Sequence, residues 1–166
     1  MKIIIGLARS CKSWGNYRLL NKNIMTKVSA NIIARFSNLK QVKVLELSVL
    51  FADEEKISEL NYKFRGKHNT TNVLSFPDIE LDWRRLLEFK PNLDYMYLGD
   101  IAFCYSTIEQ EAIEYGKLFE QHFLHLFVHS VLHLLGFDHQ IDEDAIVMED
   151  LETQILKDFS ISSPYL

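Results

Sequence analysis

The chain has 166 residues, 23 acidic and 18 basic, with a formal net charge of −5. Its 48% hydrophobic and 12% aromatic content suits one buried core, which excludes wholesale disorder; no apolar run approaches the roughly 20 residues of a membrane span. Cys11 and Cys104 lie far apart with no C-x-x-C spacing, which argues against a disulfide framework and for a reducing cytoplasm. Lys2 precedes an apolar run too short for a signal peptide, and no cleavage-like site follows. The net charge hides an asymmetry: residues 1–43 hold nine Lys or Arg and no Asp or Glu. Such a split suggests a face for nucleic acid or another polyanion, and fits ordinary solvated faces equally well.

Residues 2–8, rich in β-branched side chains, predict a strand. Over residues 19–36, Leu20, Ile24, Val28, Ile32 and Phe36 recur every four positions and predict an amphipathic helix. Residues 42–51 read as a second strand, Asp53 as the N-cap of a short helix over 54–64, and residues 65–72 as a polar loop. A strand over 73–76 stops at Pro77; residues 78–95 look like an inserted excursion, and a strand over 97–105 is interrupted at Gly99-Asp100. Helices follow over 107–115, ended by Gly116, over 118–135, and over 145–159 with Ile146, Met148, Leu151, Ile155 and Phe159 as the buried side. With neither repeat nor linker, residues 1–166 read as a single α+β domain, a small mixed sheet packed with helices and a metal site at the end of a core helix.

That site is the stretch His129-Ser130-Val131-Leu132-His133-Leu134-Leu135-Gly136-Phe137-Asp138-His139. His129 and His133, four residues apart on a helix, share a face and can reach one ion at about 2.0–2.1 Å each. Gly136 suits the left-handed turn that ends a helix, and the chain beyond it can present His139. Three protein ligands leave one tetrahedral position open, the catalytic arrangement. The spacing is that of the metzincin protease signature, but Ser130 stands where the protease has its glutamate base. Asp138 could orient a ligand imidazole or simply shape the turn. His122 and His125, on nearly the same helical face, read as structural or supporting groups rather than ligands. Arg65 lies in a loop with Lys63, Lys67 and His68, where a guanidinium can clamp a phosphate; on the loop alone, a surface arginine is the better reading. Asp100 reads more readily as a turn carboxylate than as a ligand.

Taken together these segments resemble the YbeY family of bacterial endoribonucleases over nearly the whole chain, most weakly over residues 1–40. The family's H-G-x-L-H-L-x-G-Y-D-H is matched by HSVLHLLGFDH, its T-D-V-L-S-F-P by residues 71–77, its L-G-D-I by residues 98–101, and its M-E-x-x-E by Met148-Glu149-Asp150-Leu151-Glu152. Ser130, Asn72 and Phe137 depart from the family's glycine, aspartate and tyrosine. The resemblance implies one zinc ion per chain on His129, His133 and His139, Arg65 as the catalytic cation, and a substrate contact from Arg65 and Lys67. It further implies single-strand-specific cleavage of RNA in rRNA 3′-end maturation and ribosome quality control. The implied partners are rRNA and the small ribosomal subunit, with ribosomal proteins or an assembly GTPase beside them, and no membrane. A metalloprotease and a non-catalytic assembly factor with a structural metal are the alternatives.

Overall fold

Strand β2 (Val44–Ala52) sets the frame, because its alternating apolar residues Leu45, Leu47, Val49 and Phe51 all point into one core. In the computed structural model, which describes residues 1–16 and 20–165, β2 lies inside a four-stranded sheet of order β1-β2-β4-β3. Its neighbours β1 (Lys2–Arg9) and β4 (Tyr95–Cys104) both run parallel to it, and β3 (Val73–Pro77) pairs antiparallel with β4. Helices α1 (Lys22–Ile33), α4 (Phe119–Leu134) and α5 (Asp142–Asp158) send Met25, Val28, Phe123, Phe127, Met148 and Ile155 into that core. Helix α3 (Tyr105–Glu114) adds Ile108. Helix α2 (Glu54–Arg65) instead packs Ile57 on a smaller cluster of Ala52, Leu74, Ala102 and Cys104, residues of the sheet's opposite parity. This is the expected α+β architecture, and no described helix is long and apolar enough to cross a membrane.

Several expected boundaries move, each for a local reason. Helix α1 starts after Asn21, whose side chain accepts from the backbone N–H of Asn23 and Ile24, and ends at Ile33. Phe36 keeps its place in the apolar stripe but lies in the turn beyond, with its carbonyl accepting from Leu39. Leu19 lies outside the described residues. Strand β4 is not interrupted at Gly99-Asp100 but bulged: Glu46 pairs with Tyr97 and Ser48 with Asp100, so β4 carries one extra residue. The bulge shifts the inward-facing set from Met96 and Leu98 to Ile101 and Phe103, and an unbulged strand would turn half of these to the wrong face. Gly99 has φ +135°, and a Cβ there would sit 2.2 Å from the Phe76 carbonyl oxygen.

The excursion over 78–94 is structural. It folds back over the end of α4, where Trp83 stacks on Phe137 with ring centroids 5.4 Å apart, Leu86 is buried, and Arg84 pairs with Asp144. Gly136 admits this strap: its φ is +85°, and a Cβ would lie 2.1 Å from the Leu81 carbonyl oxygen. Gly136→Ala combines left-handed strain with a backbone clash and is expected to cost about 3 kcal/mol. A urea titration checks it; a midpoint equal to that of the wild type would contradict this account.

Candidate metal centre

Helix α4 carries two kinds of face. Phe123, Phe127 and Val131 are buried in the core, while His122, His125, His129 and His133, at spacings of three and four, form a stripe along the other side. The helix ends at Leu134; Gly136 donates to the His133 carbonyl and Phe137 to the Leu132 carbonyl, which turns the chain back. The turn brings His139 to the pair: one ring nitrogen from each of His129, His133 and His139 lies within 4.8 Å of the others. His129 and His133 are half-buried and His139 is exposed.

The proton positions decide what this cluster can hold. His133 Nδ1 lies 2.9 Å from the Phe137 carbonyl oxygen, which only accepts, so Nδ1 carries the proton. His129 Nδ1 lies 2.8 Å from Glu152 Oε1 and donates to that carboxylate. In neutral imidazoles both Nε2 atoms are then bare lone pairs, and they face each other at 3.0 Å. Two acceptors at that distance repel unless a cation lies between or beside them. Two nitrogens bound tetrahedrally at 2.0–2.1 Å stand roughly 3.3 Å apart, so the geometry is close to that of a loaded site. Three imidazoles are a donor set for zinc or another first-row divalent ion. Burial, together with the neighbouring His129, pushes His133 down to about 4 against the opposing pull of its bond to Phe137. Its lone pair is therefore available throughout the neutral range.

Glu152 appears in the sequence only as the closing residue of the M-E-x-x-E match, with no role attached. It is fully buried, yet ionised: burial pushes its carboxyl up, but hydrogen bonds from His125 and His129 outweigh this and hold it at about 2. Its Oε1 takes the His129 bond, and its Oε2 accepts from His125 Nε2 at 3.0 Å and from the Tyr165 hydroxyl. Burial and this carboxylate push the Tyr165 hydroxyl up, so it remains a donor. A signal for Glu152 existed: it lies four residues after Met148 and three before Ile155, on the buried side of α5.

The remaining candidates divide. His125 supports the site through Glu152, whereas His122 pairs at 2.7 Å with Glu111, which also accepts from the Asn72 amide at 3.1 Å on each oxygen. Burial pushes Glu111 up, but the His122 and Asn72 bonds bring it below its ordinary value. Asn72 thus serves Glu111, and an aspartate in its place would set two carboxylates together. Asp138 shapes the turn, accepting the His139 backbone N–H at 2.8 Å. Asp100 accepts from Tyr97 and stays in the sheet, away from the histidine group. Arg65, the last residue of α2, and Lys67 line one cleft of about 650 Å³ with Ser75, His133, Asp138 and His139. Neither cation has a hydrogen bond or ion pair among the described residues.

Two outcomes follow. Glu152→Gln removes the charge that fixes His129 and is expected to weaken metal binding about 10–100-fold, read by competition with a chromophoric chelator; unchanged affinity would dismiss Glu152 as an orienting group. In chelator-treated protein, acid should destabilise the fold in two stages. His133 takes its proton near 6.5 when unfolded and near 4 when folded, so stability falls as pH drops between those values. Glu152 titrates from 4.5 unfolded to about 2 folded, so its contribution is complete above 4.5 and lost below. Urea midpoints measured across this range check both; a midpoint that rises on acidification from 6.5 contradicts them.

The chain is similar to known proteins in sequence and in fold. Residues 15–160 match the family model described as Endoribonuclease YbeY. A protein of Agrobacterium fabrum (strain C58) named Endoribonuclease YbeY is 45% identical over 121 residues, spanning 73% of this chain and 68% of its own. The solution structure of TM1509 from Thermotoga maritima shares the fold, with a TM-score of 0.55 at 23% identity over 95% of this chain and 92% of that one. By the extent of the family match and the level of identity, the chain belongs to the YbeY endoribonuclease family.

Proposed function

We propose that this chain is a zinc-dependent endoribonuclease that cleaves single-stranded RNA in the cytoplasm, acting at the 3′ end of small-subunit rRNA in ribosome maturation and quality control. One observation carries the chemistry: His133 and His139 of the three-histidine cluster line the same cleft as two cations, Arg65 and Lys67. A phosphodiester is an anion that gains charge as it is cleaved, and a cleft of cations answers that demand. The family membership supports RNA as the polymer.

Bound by His129, His133 and His139, zinc supplies Lewis acidity to the phosphoryl group. The chain's own residues do the rest. Glu152 and the Phe137 carbonyl hold two of the imidazoles with Nε2 forward. Arg65 presents its guanidinium fork to the non-bridging oxygens, and Lys67 meets the phosphate as a point charge. Exposed His139 leaves the cluster open on the side where a strand of RNA enters. A 2′,3′-cyclic phosphate on the product marks attack by the RNA's own 2′-hydroxyl; a linear phosphate end marks attack by water.

The protease reading lacks a base. Ser130 is 0% exposed and its Oγ has no partner, so it is shut away from the cleft. Asp138 is the sole carboxylate among the described residues lining the cleft, and it is occupied by the His139 backbone.

The test uses a defined RNA from the small-subunit rRNA 3′ region, with metal content and cleavage read from the same preparations. His133→Ala is expected to lose both metal and cleavage. Arg65→Ala should keep its metal and slow cleavage about 10²–10³-fold, the range for removing one charge-stabilising donor. Cleavage that survives in His133→Ala overturns the proposal, and a metal-loaded wild type that binds this RNA without cutting it gives way to the assembly-factor reading.

A further inference from the structure

Between Glu59 and Asp78 the chain has no carboxylate and three fixed cations, Lys63, Arg65 and Lys67. Residues 62–70 are all exposed, including two large aromatic side chains, Tyr62 at 55% and Phe64 at 58%. These lie in the last turn of α2, whose Arg65 lines the metal cleft together with Lys67 of the following loop. Both residues keep more than half of their surface in solvent, an unusual exposure for large aromatic side chains side by side with cations.

The surface is also built. Gly66 caps α2 in the left-handed conformation, with its N–H on the Tyr62 carbonyl, and Lys67 N–H reaches the Asn61 carbonyl. Buried Asn61 donates its amide to the Asn69 carbonyl at 2.7 Å, and Ser58 Oγ donates to the His68 carbonyl. The loop is thereby folded back onto the helix. His68 stacks on one face of the Tyr62 ring, with centroids 4.0 Å apart and planes 25° apart, which stiffens Tyr62. Phe64 leans on Phe76 of β3 with centroids 4.9 Å apart, and Lys63 Nζ lies over the Phe64 ring at 5.2 Å. Exposed aromatic rings interleaved in sequence with cations are the recognition chemistry of unpaired bases on a sugar-phosphate chain. A duplex hides its base faces and cannot use such rings.

The geometry points to Tyr62 and Phe64 as a base-stacking platform that holds single-stranded RNA beside the metal cleft, with Lys63 and Lys67 on the backbone. The inference rests on the proposed RNA-cleaving reading and names where the strand lies outside the cleaved bond. Unpaired nucleotides next to that bond stack on the rings, and the platform selects single strands by what it binds.

The test measures binding of the metal-loaded protein to two short probes of equal length: an unstructured 2′-O-methyl RNA and an abasic sugar-phosphate chain. Tyr62→Ala with Phe64→Ala is expected to weaken the base-bearing probe about tenfold or more and to leave the abasic probe unchanged. Tyr62→Trp should restore most of its ring's share. Lys63→Ala should weaken both probes and lower the salt slope by about one. On cleavable single-stranded RNA, the double aromatic variant should raise KM with little change in kcat. Equal binding of both probes by wild type and double variant overturns the platform and leaves the rings to a protein partner. Failure of the underlying reading looks different: the wild type then cuts no RNA at all, while the two-probe comparison still reports on the rings.

Discussion

The Nε2 atoms of His129 and His133 stand 3.0 Å apart, an arrangement that a protein does not reach by packing alone. It must be enforced from behind, and here the enforcement is a buried carboxylate. An ionised glutamate with no exposure is costly to desolvate, and it persists because its oxygens accept from His125, His129 and Tyr165. The same bonds fix the His129 tautomer, so one network both keeps the Glu152 charge inside and turns a lone pair toward the cleft. His133 reaches the same state by a cheaper route, through a backbone carbonyl that the Gly136 turn places four residues on.

The turn therefore links the site to the fold. Gly136 has to be left-handed for the chain to double back, and has to lack a Cβ for the 78–94 strap to lie over it. Trp83 on Phe137 and Arg84 on Asp144 fasten that strap to the turn and to α5. The helix that supplies Glu152 and the turn that supplies His139 are held by one piece of chain. The Gly99 bulge does related work in the sheet, keeping β4 apolar toward the core past the point where Pro77 closes against it.

How much of this was legible in the sequence depended on whether a feature is local. The histidine spacing, the glycine stop and the alternation of β2 are each written within a stretch of about ten residues, and periodicity recovers them. Helix and strand types came through for the same reason, while their ends moved by one to three residues because caps such as Asn21 act one residue at a time. Glu152 entered only as the end of the M-E-x-x-E match and Trp14 was not picked out, since each acts at a distance. Trp14 stacks on Phe51 and bonds the Ala52 carbonyl thirty-eight residues away. Glu152 meets His129 across twenty-three residues. The bulge at Gly99 looked like an interruption because a change of parity and a break in a strand leave similar traces in hydropathy.

Charge supplies the last step. A protein of net −5 is a poor partner for RNA if only the total matters, but screening in salt confines electrostatics to about 8–10 Å. At that range the distribution decides. The basic N-terminal segment, the obvious candidate from sequence, is partly spent: Arg35 pairs with Asp158 and Lys43 with Asp94. Its strand β1 is also the sheet edge farthest from β3. The cations that reach the metal cleft are instead those of the carboxylate-free stretch after Glu59, where Arg65 and Lys67 meet no acid among the described residues. With acidic side chains elsewhere on the surface, this carboxylate-free stretch gives the cleft at His133 and His139 a positive approach that the net charge alone conceals.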